Sequence, residues 1–203
     1  MKVPFFPYSD LYLEDKDAYQ TIFNDVSTKG AFILQKELED FEKILCDFTG
    51  SKYALGMGNA TDALEIGLIA GGLKKGTEVI ISSHTMIATA SAIVVAGATP
   101  VPIDCGNDHM IDVTKIESAI TERTSAIMPT QLNGRVCEMD TIFNIADKHN
   151  LDVYEDSAQA LGAKYKNKTA GTFGIAGCIS FYPAKTMGCF GDGGALLILS
   201  LIH

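Results

Sequence analysis

Basic residues are in short supply. Sixteen lysines and arginines stand against twenty-five acidic residues, for a formal net charge of −9. The acidic excess is spread along the chain rather than gathered in a tail, and it argues against nonspecific binding to nucleic acid. A phosphorylated ligand stays open, because a few local donors bind a phosphate whatever the net charge. Cysteine is scattered: Cys46, Cys105, Cys137, Cys178 and Cys189 form no CxxC pair and no Cys/His cluster. The odd count and the scatter argue against a disulfide frame or a zinc site and fit reduced, cytosolic thiols. Long hydrophobic runs are also missing. The longest, residues 87–98, is broken by Thr89 and Ser91, is too short to span a bilayer, and reads as a buried helix. The first twenty residues hold Asp10, Glu14, Asp15 and Asp17 and no apolar stretch, so they do not read as a secretory leader. What is present, 47% hydrophobic and 20% charged residues in 203, is ample material for one core.

The chain reads as irregular up to about Tyr8, then as helices over 17–28 and 36–48 ended by Gly30 and Gly50, the second with Phe41, Ile44, Leu45 and Phe48 on one face. An alternation follows. Strands are expected at 53–57, 78–82, 99–103, 124–129 and 151–154, with helices at 61–70, 86–96, 113–120 and 139–149 between them. Apolar strands in a βαβα rhythm predict an α/β fold, a three-layer αβα sandwich with a mostly parallel sheet. Ligands in such sheets bind outside the carboxyl ends of the strands. After Asp156 the rhythm changes, and residues 160–165, 178–181 and 194–199 read as strands without helices between them. The last eight residues, 196–203, are almost wholly apolar and carry no stop signal, an unusual end for a finished domain; they read as a chain cut short.

Two residues carry the chemistry. Lys185 lies in Ser180-Phe181-Tyr182-Pro183-Ala184-Lys185-Thr186-Met187-Gly188-Cys189-Phe190-Gly191-Asp192-Gly193-Gly194, and Asp156 lies in Glu155-Asp156-Ser157-Ala158-Gln159. A lone lysine in a loop is usually a solvated charge. Here it is flanked by Phe181, Tyr182, Pro183, Met187 and Phe190, an apolar setting that favours imine chemistry. An acid at the end of an apolar run, with such a lysine downstream, is what a pyridoxal phosphate (PLP) enzyme needs. The lysine holds the cofactor aldehyde, and the acid keeps the pyridine nitrogen protonated so that the ring acts as an electron sink. Asp156 as a metal ligand lacks companions, since Glu155 should point the opposite way along an extended strand.

The turn Gly56-Met57-Gly58-Asn59-Ala60-Thr61 joins a strand to a helix, whose unpaired N–H groups, with the Thr61 hydroxyl, form a ready phosphate site; simple capping by Asn59 or Thr61 explains it equally well. A dinucleotide loop fits poorly, because the third glycine is missing and Glu78 opens the next strand instead of closing it. Gln159 either donates to a ring substituent or satisfies local backbone. Ser180 is either a phosphate ligand or an ordinary strand-end serine. His84 reads as a residue of the pocket rim rather than a catalytic base, and Arg135 as a candidate for a substrate or structural contact, while His109 and His149 read as solvated.

These pieces in this order resemble the sugar aminotransferases of the DegT/DnrJ/EryC1/StrS family, among the fold type I PLP enzymes. The similarity runs over residues 32–197 and rests on Gly30-Ala31-Phe32-Ile33-Leu34, Asn59-Ala60-Thr61-Asp62-Ala63-Leu64, Gly97-Ala98-Thr99-Pro100, Glu155-Asp156-Ser157-Ala158-Gln159 and Ser180-Phe181-Tyr182-Pro183-Ala184-Lys185. The resemblance implies Lys185 as the Schiff-base lysine, Asp156 as partner of the pyridine nitrogen, Gln159 near the phenolic oxygen, and Ala60, Thr61 and Ser180 at the phosphate. It implies a two-step transamination, in which an amino-acid donor, typically glutamate, loads the cofactor and the amine passes to a keto group of a nucleotide-linked deoxysugar, in cytoplasmic synthesis of surface polysaccharide. Members with a histidine for the lysine are dehydratases, and Lys185 argues against that branch. The family usually has an aromatic where this chain has Met86, over the cofactor ring. Family members are homodimers and run further, into a second, smaller domain. The expectation is therefore that residues 1–203 are the PLP-binding large domain, incomplete at its C-terminal end. A catalytically dead fragment, or another PLP chemistry such as dehydration, are the rival expectations.

Overall fold

The computed structural model describes residues 3–199. Three helices lead: α1 (Tyr8–Glu14), α2 (Lys16–Lys29) and α3 (Lys36–Thr49). The alternation follows as β1 (Tyr53–Met57), α4 (Ala60–Ala70), β2 (Glu78–Ser82), α5 (Ile87–Val95), β3 (Thr99–Ile103), α6 (Val113–Ala119), β4 (Thr124–Met128), α7 (Met139–His149) and β5 (Asp152–Asp156). The chain ends in β6 (Lys164–Tyr165), β7 (Lys168–Thr169), β8 (Ala176–Ser180) and β9 (Gly194–Ile198). The main sheet has seven strands in the order β1-β9-β8-β5-β4-β2-β3. Strands β3, β2, β4, β5 and β8 are mutually parallel, and β9 runs against both of its neighbours. The α/β three-layer expectation holds.

Side-chain alternation makes the sheet two-faced. Val79 and Ile81 of β2 point into one core with Ala126, Met128 and Tyr154 and with Leu64, Leu68, Ala92 and Ile93 of α4 and α5. Ile80 points the other way, to Ile127, Val153 and the α6–α7 residues Ile116, Met139 and Ile142. Each such fully buried aliphatic chain contributes about 1.5–3 kcal/mol, so a one-residue slip of β2 would turn three of them onto the wrong face. Pro100 and Pro102 cannot donate to a ladder, and β3 lies at the sheet edge, where that is tolerated.

The structure corrects several expectations. Residues 8–14, on the boundary of the stretch read as irregular, form α1. Of residues 160–165 only Lys164–Tyr165 is strand, in a two-stranded hairpin with β7; the preceding residues turn, with the Ala163 N–H on the Ala160 carbonyl. On α3, Leu45 is buried and Phe41 half-buried, but Ile44 and Phe48 are 65% and 58% exposed. Helix α5 is buried only on the face of Thr89, Ala92 and Ile93; Ile87, Val94 and Val95 are exposed. The strand expected at 194–199 is present as β9. Leu196, Leu197 and Ile198 are buried in β9, between β1 and β8, so that stretch is interior strand. Residues 200–203 lie outside the described residues. Among the described residues no helix is long and apolar enough to cross a membrane.

Candidate functional site

A cavity of about 770 Å3 opens at the carboxyl ends of the parallel strands. All seven residues singled out as cofactor contacts line it: Ala60, Thr61, Met86, Asp156, Gln159, Ser180 and Lys185. The folding that brings them together is local in each case.

Asp156 is the last residue of β5 and is 3% exposed. Its Oδ2 accepts a hydrogen bond from Thr89 Oγ1 at 2.6 Å. Its Oδ1 accepts from the Ala158 N–H at 3.1 Å and from Cys178 Sγ at 3.5 Å. Burial first, and then the charge of Asp156, push the Cys178 thiol well above its usual range, which keeps it a neutral donor. Among the described residues no cation forms an ion pair with Asp156. A buried carboxylate without a cation is costly unless something else supplies positive charge or donors, and this one faces a cavity.

Glu155 points the opposite way, as expected. It is fully buried, and each of its oxygens takes two N–H donors: Oε1 from Phe173 and Gly174 at 2.5 and 3.1 Å, Oε2 from Gly171 and Gln131 Nε2 at 2.9 and 2.9 Å. Burial pushes its carboxyl upward against the pull of those donors. Glu155 ties the loop after β7 to the sheet and stands outside the cavity.

The phosphate-site expectation falls on the start of α4. Asn59 is its N-cap, with Oδ1 accepting from Asp62 N at 2.9 Å and Nδ2 donating to Asp62 Oδ2 at 2.9 Å. Capping therefore consumes the Asp62 N–H, and the Ala60 and Thr61 amides have no partner among the described residues, where the helix presents its partial positive charge. Gly194, at the start of β9, presses on this turn. A Cβ there would lie 2.4 Å from the Asn59 carbonyl carbon and 2.6 Å from Ala60 N, so only glycine fits.

Gln159 resolves the choice between its two readings by doing one and leaving room for the other. Its Oε1 accepts from Asn133 N at 3.2 Å, and its main-chain carbonyl accepts from Gly134 N at 2.9 Å. The side-chain NH2 is then left to donate. Ser180 Oγ accepts from Tyr182 N at 3.2 Å, the strand-end role, and also borders the cavity. Met86 is the N-cap residue of α5, outside the helix expected to include it, and is exposed in the cavity wall.

Lys185 is half-buried, its main-chain N–H on the Tyr182 carbonyl at 2.8 Å. Its setting is less apolar than its neighbours suggest: Phe181 is buried, but Tyr182, Met187 and Phe190 are exposed. His84 is not a rim residue. Its Nδ1 lies 3.2 Å from the His109 carbonyl, and it does not line the cavity. Arg135 is exposed and does not line the cavity either, whereas Asn133 and Gly134 of the same turn do. Glu78 opens β2, where Arg123 pairs with it. Among the described residues no group of three or more His, Cys, Asp or Glu is placed to hold a metal.

Sequence reasoning missed Phe6, Thr85, Thr130 and Asp192 in the cavity wall and Thr89 behind Asp156. A signal existed for Thr89, a hydroxyl inside an apolar helix run, which must find an acceptor once buried.

The sequence model of the DegT/DnrJ/EryC1/StrS aminotransferase family matches residues 14–200. The chain is 39% identical to the dTDP-3-amino-3,4,6-trideoxy-alpha-D-glucose transaminase of Streptomyces venezuelae over 97% of this chain and 52% of that protein. It is 43% identical to the dTDP-3-amino-3,6-dideoxy-alpha-D-galactopyranose transaminase of Aneurinibacillus thermoaerophilus, over 96% of this chain and 54% of that protein. Among solved structures, S. venezuelae DesV in complex with a ketimine intermediate superposes with a TM-score of 0.94 at 38% identity, over 98% of this chain and 54% of that one. Bacillus subtilis NtdA with bound cofactor PMP superposes at 0.91 and 34%, over 98% and 45%. The chain spans about half the length of the relatives it matches.

Proposed function

Because the chain belongs to the DegT/DnrJ/EryC1/StrS aminotransferase family, we propose that residues 1–203 form the PLP-binding large domain of a nucleotide-sugar aminotransferase. In this reading an amino acid, glutamate first, is the donor, and a keto group of a nucleotide-linked deoxysugar is the acceptor. The protein works in the cytoplasm in polysaccharide synthesis, as a homodimer. The observation that carries the reading is the buried, cation-free Asp156 facing a cavity that Lys185 also lines.

The residues present fit the cofactor. Asp156 would accept a hydrogen bond from a protonated ring nitrogen and balance its charge. The Ala60 and Thr61 amides and the Thr61 and Ser180 hydroxyls hold the phosphate at a helix N-terminus. The Gln159 NH2 would be free to donate to the ring oxygen, and the polarisable sulfur of Met86 would be available to pack against the ring. Lys185 would hold the cofactor through Nζ, and its free amine would serve as the group that takes up and returns a proton in the cavity. Bound here, PLP supplies the electron sink that lets an amino group change partners.

The test is an absorbance spectrum of the purified chain with PLP, before and after glutamate. The expected result is a band near the visible edge that needs Lys185 and moves to shorter wavelength on adding glutamate. A band that glutamate does not move would sink the transaminase reading in favour of another PLP chemistry. The absence of any band would sink the cofactor site itself.

A further inference from the structure

Asp156 is gripped from behind by a row of hydroxyls. Thr89, in the first turn of α5 and 0% exposed, donates to Asp156 Oδ2 at 2.6 Å. Thr85 Oγ1 lies 2.6 Å from Thr89 Oγ1 and 2.8 Å from Thr130 Oγ1. An ionised carboxylate only accepts, so the Thr89 proton is committed to Asp156. Each hydroxyl has a single proton. Thr85 must therefore donate to Thr89, and Thr130 to Thr85. The direction of the whole row is dictated by the charge at its end, and its three O–H dipoles add up toward one oxygen atom.

Three separate elements supply the row: the loop after β2, helix α5 and the segment after β4. The segment after β4 is tied to the strand end of Asp156 by the main chain, since Asp156 N donates to the Pro129 carbonyl at 3.1 Å and Gln131 N to the Asp156 carbonyl at 2.8 Å. With the Ala158 N–H and Cys178 thiol on Oδ1, the carboxylate is ringed by neutral donors. Such a shell fixes the orientation of the carboxylate while leaving a lone pair for a donor in the cavity.

We infer that Thr89 is a positioning residue for Asp156, and that the Thr130–Thr85–Thr89 row orients this carboxylate toward the ring nitrogen of bound PLP. This rests on the cofactor reading above. A hydroxyl that merely fills a buried gap would affect stability alone; a positioning hydroxyl also affects the electronic state of the ring.

The experiment uses the full chain with PLP as the probe. Affinity and the pH midpoint of the visible band are read for the parent, Thr89→Val, Thr89→Ser and Asp156→Asn, with melting curves to establish folding. Thr89→Val, equal in volume, should weaken PLP binding about tenfold, the loss of one hydrogen bond to a charged group, and should move the pH midpoint in the same direction as Asp156→Asn. Thr89→Ser should restore both. A folded Thr89→Val with the parent affinity and midpoint, or a Thr89→Ser that fails to restore them, overturns the inference while the parent band leaves the cofactor reading standing. Should Thr89→Val not fold, Thr85→Val, one hydroxyl further from the carboxylate, is read instead. It should shift the midpoint the same way by less, and an unshifted midpoint overturns the inference. A parent chain without a Lys185-dependent band overturns the cofactor reading and this inference with it.

Discussion

On one side of the cavity stands Asp156, 3% exposed, held by Thr89, Ala158 and Cys178 and backed by the sheet. On the other, Lys185 rides the segment from Phe181 to Gly193, where residues 186–192 are all exposed and few hydrogen bonds cross: Cys189 N to the Phe181 carbonyl and Phe181 N to the Gly193 carbonyl, each 2.8 Å. The difference suits the tasks proposed for the two residues. A group that recognises a fixed charge gains from preorganisation, because its dipoles need not reorient. A lysine that must be bound to a ligand and then released gains from freedom, and segments with few buried contacts open at low free energy.

The sharpest way to break the comparison is to separate chemistry from stability. Lys185→Ala should abolish the visible band of PLP completely, yet change the denaturation midpoint by no more than about 0.5 kcal/mol, since no ion pair involves Lys185 among the described residues. The same spectrum and a urea melt measure both. A large loss of stability would mean that the lysine loop is as structural as the Asp156 wall.

Behind the wall the reverse is expected. Glu155→Gln puts an NH2 group against N–H donors that both carboxylate oxygens now satisfy in pairs. Leaving those buried donors unmatched should cost about 2–3 kcal/mol, while the PLP band keeps its position. Urea midpoints measure the first, the spectrum the second. Gly194→Ala acts at the junction of the two regions, where the added Cβ meets the backbone of Asn59 and Ala60. It should destabilise by about 2 kcal/mol and weaken PLP binding together, because the turn that must yield is the proposed phosphate turn. Equal loss in both readouts, seen by titration and by melting, is the signature of that junction.

What was legible in the sequence follows the same division. The sheet and its helices were legible because strands buried on both faces are written as short apolar runs, and helices that cover them as periodic ones. That Lys185, Asp156, Thr61 and Gln159 would line one cavity was legible because each sits at a strand end or turn with unusual neighbours. Thr85 and Thr130 were not, since a threonine near a strand end has many ordinary uses, and only the convergence of β2 and β4 aligns them with Thr89. Met86 was legible only as a departure from a familiar pattern. His84 was misplaced because a strand end has two faces, and its ring turns toward the loop of His109. The exposed Ile44, Phe48, Val94 and Val95 were misjudged for another reason: periodicity marks an apolar face but not whether anything in the same chain covers it.

The smallest expected effect bears on the soft side. Phe190 is exposed, but its ring packs edge-on against Tyr19 at 5.0 Å and Tyr12 at 6.0 Å, so this side chain joins the lysine segment to the leading helices α1 and α2. Aromatic pairs of this kind contribute about 0.5–1.5 kcal/mol beyond their burial, and an exposed ring should sit at the low end. Phe190→Ala should therefore leave the urea midpoint almost unchanged. Its effect should be local, because the hydrogen bonds at Phe181 and Cys189 hold the base of the segment and the aromatic contact ties its tip to α1 and α2. Amide exchange measures this directly. Residues 186–192 should exchange several-fold faster in the variant, since about 0.5–1 kcal/mol of lost local stability raises the open population by that much, while residues 152–158 keep the parent rate. Faster exchange in both segments would join the two sides of the cavity into one cooperative unit, and the contrast between them would then describe exposure alone.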